Sequence, residues 1–205
     1  MKITAITQQE KLKSRYSVFV DEKYAFSLSD TALLESKLYT GKELTKDEVG
    51  KYKELSKEDK LYSLVLRYTA LRPHSSWELE FYMKRKDVPL PLQSQILNKL
   101  CDLGFVDDLA FARAWVQSRR LLKPISMRRL TLELRQKHVQ DEIIQEVLSE
   151  DETDERSVLR ELIERKRKQT KYQDNTKLMQ YLSRQGFSYD DIKSALHQEQ
   201  EWEKT

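Results

Sequence analysis

Three segments of this chain align without a gap, and each reads as one amphipathic helix: WELEFYMKRKDV (77–88), RRLTLELRQKHV (128–139) and TKLMQYLSRQGF (176–187). Leu79, Leu130 and Leu178 fall together, as do Met83, Leu134 and Leu182, and then Val88, Val139 and Phe187. Behind each segment comes an apolar pair four residues apart: Ile96 and Leu100, Ile144 and Leu148, Ile192 and Leu196. Ahead of each runs another stretch with helical periodicity, at 61–71, 108–122 and 155–168. A period of about 50 residues marks tandem units that bury their apolar faces on their neighbours. The expected fold is mainly α, with three tandem three-helix repeats in an elongated, curved array. With four glycines and four prolines in 205 residues, little in the composition would interrupt such helices.

The start of the chain reads differently. KITAITQ, RYSVFVD and KYAFSLS are short runs rich in β-branched and aromatic residues, with partial period-two alternation. They predict a small antiparallel sheet, with Tyr16, Val18 and Val20 on one face and Ser17 and Phe19 on the other. Asp21, Glu22 and Lys23 form the hairpin turn, without the glycine that favours the tightest types. Ser29 or Asp30 caps a short helix over TALLESKL, Gly41 stops it, and Thr45 opens a polar helix with Asp47 and Glu48 at its positive end. From Ser56 onward the pattern is wholly helical. The domains follow: 1–55, the sheet with short helices; 56–106, repeat one; 107–151, repeat two; 152–205, repeat three. Gly104 and Gly186, each followed by Phe, sit where helices should end. Asp107-Asp108 and Asp190-Asp191 sit where the next helices should begin, as caps and not as a catalytic or metal-binding pair.

Charge is the second constraint. The net charge is only +3, but its distribution is uneven. Within FARAWVQSRRLLKPISMRRLTLELRQK (111–137) stand Arg113, Arg119, Arg120, Lys123, Arg128, Arg129, Arg135 and Lys137 against one acid, Glu133. The next stretch, 138–155, holds eight acids and no Lys or Arg. A face kept only for solubility mixes both signs, so the basic stretch is expected to bind a polyanion. Lys123-Pro124 breaks it into two basic helices joined by a tight turn. Lys84, Arg85 and Lys86 extend the stripe in repeat one, and Arg165, Lys166, Arg167 and Lys168 extend it in repeat three. Arg113 has a second reading, a local pair with Asp107 or Asp108. Trp115, spaced with Ala112 and Val116, fits the core better than a base-stacking platform. Tyr82 and Tyr181, at matching repeat positions, stay open between the two roles.

Other chemistry is missing. His74, His138 and His197 lie far apart with no nearby Cys, against a zinc site. No Gly-rich phosphate loop, HExxH or GxSxG occurs, so no enzyme, metal or cofactor is expected. The single cysteine, Cys101, sits in an apolar helical pattern as a small core residue and fits a reducing cytosol. No apolar run reaches the roughly 18 residues a membrane span needs, and MKITAITQQEKLK lacks a signal-peptide core. A cytoplasmic protein is expected.

The chain resembles bacterial RecX, the regulator of the RecA recombinase. The resemblance rests on RYSVFVDEKYAFSLS, on Arg72-Pro73 with Ser75-Ser76-Trp77-Glu78-Leu79, and on LCDLGFVDDLAFARAWVQSR (100–119). It continues through LKP-x4-RL-x-LELRQK (122–137) and RQGFSYDDIKSAL (184–196), and so covers essentially the whole chain. Departures are the Pro-rich insertion at Pro89-Leu90-Pro91 and the glycine-free turn at Asp21-Glu22-Lys23. The resemblance implies a non-enzymatic modulator, acting as a monomer without cofactor. Its implied partners are the RecA filament and, through phosphate contacts, single- and double-stranded DNA. It would lie along the filament groove and limit strand exchange, ATP hydrolysis and repressor cleavage. The residues alone leave two alternatives, a helix-turn-helix-like DNA-binding protein and a helical adaptor that binds only protein.

Overall fold

The computed structural model describes residues 1–202, with side chains through Gln198. The chain forms two compact units: Met1–Arg72 with Leu79–Phe105, and Pro73–Glu78 with the described residues from Val106 onward.

The first unit opens with three strands, β1 (Ile3–Gln8), β2 (Arg15–Val20) and β3 (Lys23–Ser29), paired antiparallel in that order. Alternation puts Ile3, Val18, Val20, Phe26 and Leu28 on the buried face, against Leu38, Leu44 and Val49. Val20 pairs with Lys23, so the hairpin closes on two residues, Asp21 and Glu22, with φ of 49° and 65°. This is the tight mirror-image turn, reached without glycine. Two hydrogen bonds offset its strain: the Lys2 amide donates to Asp21 Oδ1 (2.8 Å) and the Glu22 amide to Thr4 Oγ1 (3.0 Å).

A short helix, α1 (Asp30–Glu35), follows with Ser29 as its cap. Next comes α2 (Lys46–Thr69), closed at its start by a reciprocal capping box between Thr45 and Glu48. The polar helix expected from Thr45 and the helix expected over 61–71 are one, for α2 runs unbroken over 24 residues. Its polar first half looks like a separate helix in sequence because it meets the sheet through polar groups. Buried Ser56 donates to the Ser27 carbonyl at 2.6 Å. Asp59 accepts from the Ser29 amide and hydroxyl and pairs with buried Arg15 at 2.9 Å. The unit is completed by α3 (Ser76–Arg85), from Leu79 on, and by α4 (Leu90–Asp102), which bury Leu79, Met83, Ile96 and Leu100. Pro89 and Pro91 sit at the start of α4, so the extra residues there lengthen a helix instead of a loop. Cys101 departs from expectation: it is exposed, one residue round the helix from buried Leu100.

In the second unit, α5 (Asp108–Leu122), α6 (Met127–Gln136) and α7 (Asp141–Ser149) enclose one core around Phe111, Val116, Leu130, Leu134 and Ile144. Lys123-Pro124 ends α5 as expected. A second core, around Leu159, Leu162, Leu178, Leu182 and Ile192, is built by α8 (Glu155–Arg167), α9 (Asn175–Arg184) and α10 (Tyr189–Trp202), with a 3-10 turn at Thr170–Tyr172. Asp107 caps α5 by accepting from the Leu109 and Ala110 amides. Asp190 and Asp191 do not cap α10. They lie in its first turn, and the Ser188 hydroxyl accepts the Asp191 amide.

The aligned helices α3, α6 and α9 start and stop alike. Ser75, Ser126 and Asp174, at equivalent positions, each accept an amide from the first turn. Each helix ends in a Schellman turn, with amides of Val88, Val139 and Phe187 returning to the carbonyls of Met83, Leu134 and Leu182. The left-handed residue there is Asp87 (φ 53°), His138 (φ 55°) or Gly186 (φ 92°).

Candidate nucleic-acid interface

Half of the basic residues of 111–137 are spent on the fold. Arg113 reaches Glu150 at 2.7 Å and Glu146 at 3.2 Å on α7, not Asp107 or Asp108. The hydrogen bond to Glu150 raises the Arg113 pKa and holds the Glu150 carboxyl below its usual range. Arg120 is 12% exposed; two of its nitrogens meet one oxygen of Asp151 (2.8 and 2.6 Å), and its third donates to the Ile125 carbonyl at 2.7 Å. Burial pushes the Asp151 carboxyl up, but hydrogen bonds from Thr153 and Arg120 outweigh it and leave the carboxyl below the ordinary aspartate range. Arg119 lies over the Trp115 ring at 4.4 Å and donates to Glu133 at 2.7 Å, which also accepts the Trp115 indole N–H. Trp115 itself packs on the core, as its spacing implied. Lys137 pairs with Glu78 at 2.6 Å. Apart from Glu133, the acids that neutralise the stripe come from Glu78 and from the acid-rich stretch behind it, which folds back as α7 and the turn after it. Of all these acids, a window of 27 residues contains only Glu133.

Two helix-end contacts within the second unit carry the rest. In one, the first turn of α3 meets the end of α6: the Ser75 hydroxyl donates to the Lys137 carbonyl at 3.0 Å, and Trp77 stacks on His138 with centroids 4.3 Å apart. Glu78 sits there between Lys137 and buried His74. In the other, the first turn of α6 meets the end of α9: the Ser126 amide donates to the Gln185 carbonyl at 3.1 Å. The aligned positions now hold Arg128 for Trp77, Arg129 for Glu78, Gln185 for Lys137 and Gly186 for His138. A Cβ on Gly186 would lie 2.3 Å from Ser126 Oγ and 2.8 Å from Arg129 Cβ, so the close approach requires glycine.

The consequence is a bare, basic groove between α6 and α9, of about 900 Å³, with Arg128, Arg129, Arg135 and Arg184 in its walls and no acid among its lining residues. Arg128 and Arg184 meet no carboxylate within 4 Å among the described residues. Arg129 shares Glu133, at 3.4 Å, with Arg119, and Arg135 pairs with Asp141 at 2.7 Å, which raises its pKa. Leu132, 46% exposed, and Tyr181, whose hydroxyl pKa burial raises, complete the lining.

The remaining candidates are dispersed. Lys123 is exposed beyond α5. Lys166 lies over the rings of Tyr172 and Tyr181 at 5.3 and 4.6 Å, and Arg167 donates to the Tyr172 and Gln173 carbonyls, fixing the turn before α9. Arg165 and Lys168 are exposed nearby. In the first unit Lys84, Arg85 and Lys86 are exposed at the end of α3, with Lys86 over Tyr82. Tyr82 stacks face to face on Tyr68 at 3.9 Å, a packing role. Arg184 and Leu132 were absent from the residues expected to bind; Arg184 aligns with Arg85, so the repeat register could have found it.

Comparison with known proteins decides the family. The description "Regulatory protein RecX N-terminal domain" matches residues 1–45, "RecX, second three-helix domain" 107–148, and "RecX, third three-helix domain" 154–196. Regulatory protein RecX of Bacillus subtilis is 30% identical over 201 residues, covering 96% of this chain and 76% of its own. This chain belongs to the RecX family. The RecX of Lactobacillus johnsonii is 31% identical over 153 residues, covering 75% of this chain and 56% of its own. A crystal structure of regulatory protein RecX superposes with a TM-score of 0.71 at 25% identity, over 96% of this chain and 98% of that one. A RecX structure from Lactobacillus salivarius (TM-score 0.57, 24% identity) shares the fold over 69% of this chain. Among the described residues no cluster of His, Cys, Asp or Glu fits a metal, and no helix is long and apolar enough to cross a membrane.

Proposed function

We propose that this RecX-family chain is a non-enzymatic inhibitor of RecA that binds the RecA–DNA filament through a basic face. In this reading it acts as a monomer and limits ATP hydrolysis, strand exchange and repressor cleavage by the filament. Family membership supplies RecA as the partner. The observation that carries the binding mode is the groove between α6 and α9, where Arg128 and Arg184 stand without a carboxylate. Unneutralised arginines release counterions when they meet phosphates, so the gain falls with salt. Arg113, Arg119, Arg120 and Lys137 hold the second unit together in this reading and do not touch the filament. Arg165 and Lys168, exposed in the same unit, add to the positive field of the second unit, while Lys84, Arg85 and Lys86 are exposed on the first.

The test is DNA-dependent ATP hydrolysis by RecA with this protein titrated from far below one-to-one. Inhibition at substoichiometric amounts is expected. No inhibition, with salt-sensitive DNA binding retained, overturns the reading in favour of a plain DNA-binding protein.

A further inference from the structure

We infer that the groove between α6 and α9 holds one unpaired nucleic-acid strand, gripping its phosphates with arginine and seating a base on Leu132. The inference rests on the proposed function and gives its basic face a ligand and a geometry. Arg128, Leu132 and Arg135 lie at i, i+4 and i+7, on one face of α6, so a leucine is set between the guanidinium of Arg128 and that of Arg135, whose Nε is held by Asp141. Arg184 and Tyr181 form the opposite wall from α9.

Two features separate this arrangement from a solvated charged patch. The leucine is 46% exposed in a place where nothing else in the described chain covers it. At the aligned position of the other helix-end contact, an aromatic pair and a carboxylate occupy the space, whereas here Gly186 and arginines leave it open. A ligand for such a groove offers anions at regular spacing with flat apolar surface between them. A nucleic-acid strand does so, with phosphates for the arginines and a base for the leucine. A duplex keeps its base faces stacked inside and offers only base edges in its grooves, so it has no base plane to lay on Leu132. An acidic peptide satisfies the arginines but has no plane to lay on the leucine.

The experiment is fluorescence-anisotropy binding of the full chain to oligo-dT, to an abasic strand of the same length and to polyglutamate, across a salt series, with RecA ATP hydrolysis followed in parallel. The unaltered protein should bind oligo-dT several-fold tighter than the abasic strand, the gain expected when a base covers part of an exposed aliphatic side chain. Leu132→Ser, at an exposed position, should erase that ratio. Arg184→Gln should weaken both strands alike and lower the salt slope by about one. A ratio near one in the unaltered protein, a ratio that survives Leu132→Ser, or polyglutamate competing as well as oligo-dT would each overturn the inference. RecA inhibition without a base preference sinks the inference and leaves the proposed function standing; a base preference without RecA inhibition does the reverse.

Discussion

The two helix-end contacts of the second unit have the same backbone plan and opposite surfaces. In both, a capping serine of one aligned helix meets the last carbonyls of the next, beside a residue in the left-handed conformation. Where α3 meets α6, Trp77 covers His138 and Glu78 neutralises Lys137. Where α6 meets α9, glycine permits a closer approach, and the arginines at the tryptophan and glutamate positions are left around an open groove. Capping and turn geometry preserve the repeat, while the side chains laid on it decide whether a contact is filled or open. The same rule sorts the cations. Arg113, Arg120 and Lys137 meet carboxylates from other segments and serve the architecture. Arg128 and Arg184 meet none among the described residues and are left to bind, with Arg129 and Arg135 beside them shared with Glu133 and Asp141.

The rule can be broken most forcefully at Arg120. Its pair with Asp151 is nearly buried, so Arg120→Ala strands a carboxylate and should cost about 4 kcal/mol, read by denaturant unfolding. Asp151 is held below its unfolded pKa. Its contribution is therefore fully present above about pH 4, the unfolded value, and is lost as pH falls through the lower folded value. The variant should flatten the acid limb of the stability profile. Gly186→Ala comes next, at about 3 kcal/mol, from overpacking against Ser126 and a left-handed backbone. His138→Ala, at the aligned position, meets no such crowding and should cost clearly less. If the two substitutions cost the same, the close approach is not what distinguishes the contacts.

Smaller effects sharpen the comparison. Glu78→Gln leaves Lys137 without its carboxylate and should cost about 2 kcal/mol, while adding one phosphate-seeking cation and steepening the salt dependence of DNA binding. Arg113→Gln removes an exposed pair with Glu146 and Glu150, should leave the denaturant midpoint nearly unchanged, and should leave RecA inhibition as it was.

Much of the fold could be read from the chain, because leucine spacing fixes which face of each helix is buried whatever the helix packs on. Leu79, Leu130 and Leu178 are all fully buried, and α5 spans the residues expected of it. The helix from Thr45 and the one over 61–71 read as separate because Ser56 and Asp59, polar in sequence, are buried by hydrogen bonds that only the folded sheet supplies. Cys101 was misread because cysteine suits a core, and one helical step decides its side. The candidate site was half legible. Its arginines were in view, but the acids that silence Arg113, Arg120 and Lys137 lie 31 or more residues away in sequence. Arg184 and Leu132 became part of the site only once α9 was set beside α6.

The measurement that bears most directly on the account is RecA ATP hydrolysis titrated with Arg128→Glu/Arg184→Glu, run beside the unaltered protein and Arg113→Gln, with folding of each verified by circular dichroism. Both altered positions are on the groove and neither has a carboxylate partner among the described residues, so the fold should persist and inhibition should be lost, while Arg113→Gln inhibits like the unaltered protein. A folded double variant that inhibits RecA at the same concentration would contradict the assignment of the groove as the working surface.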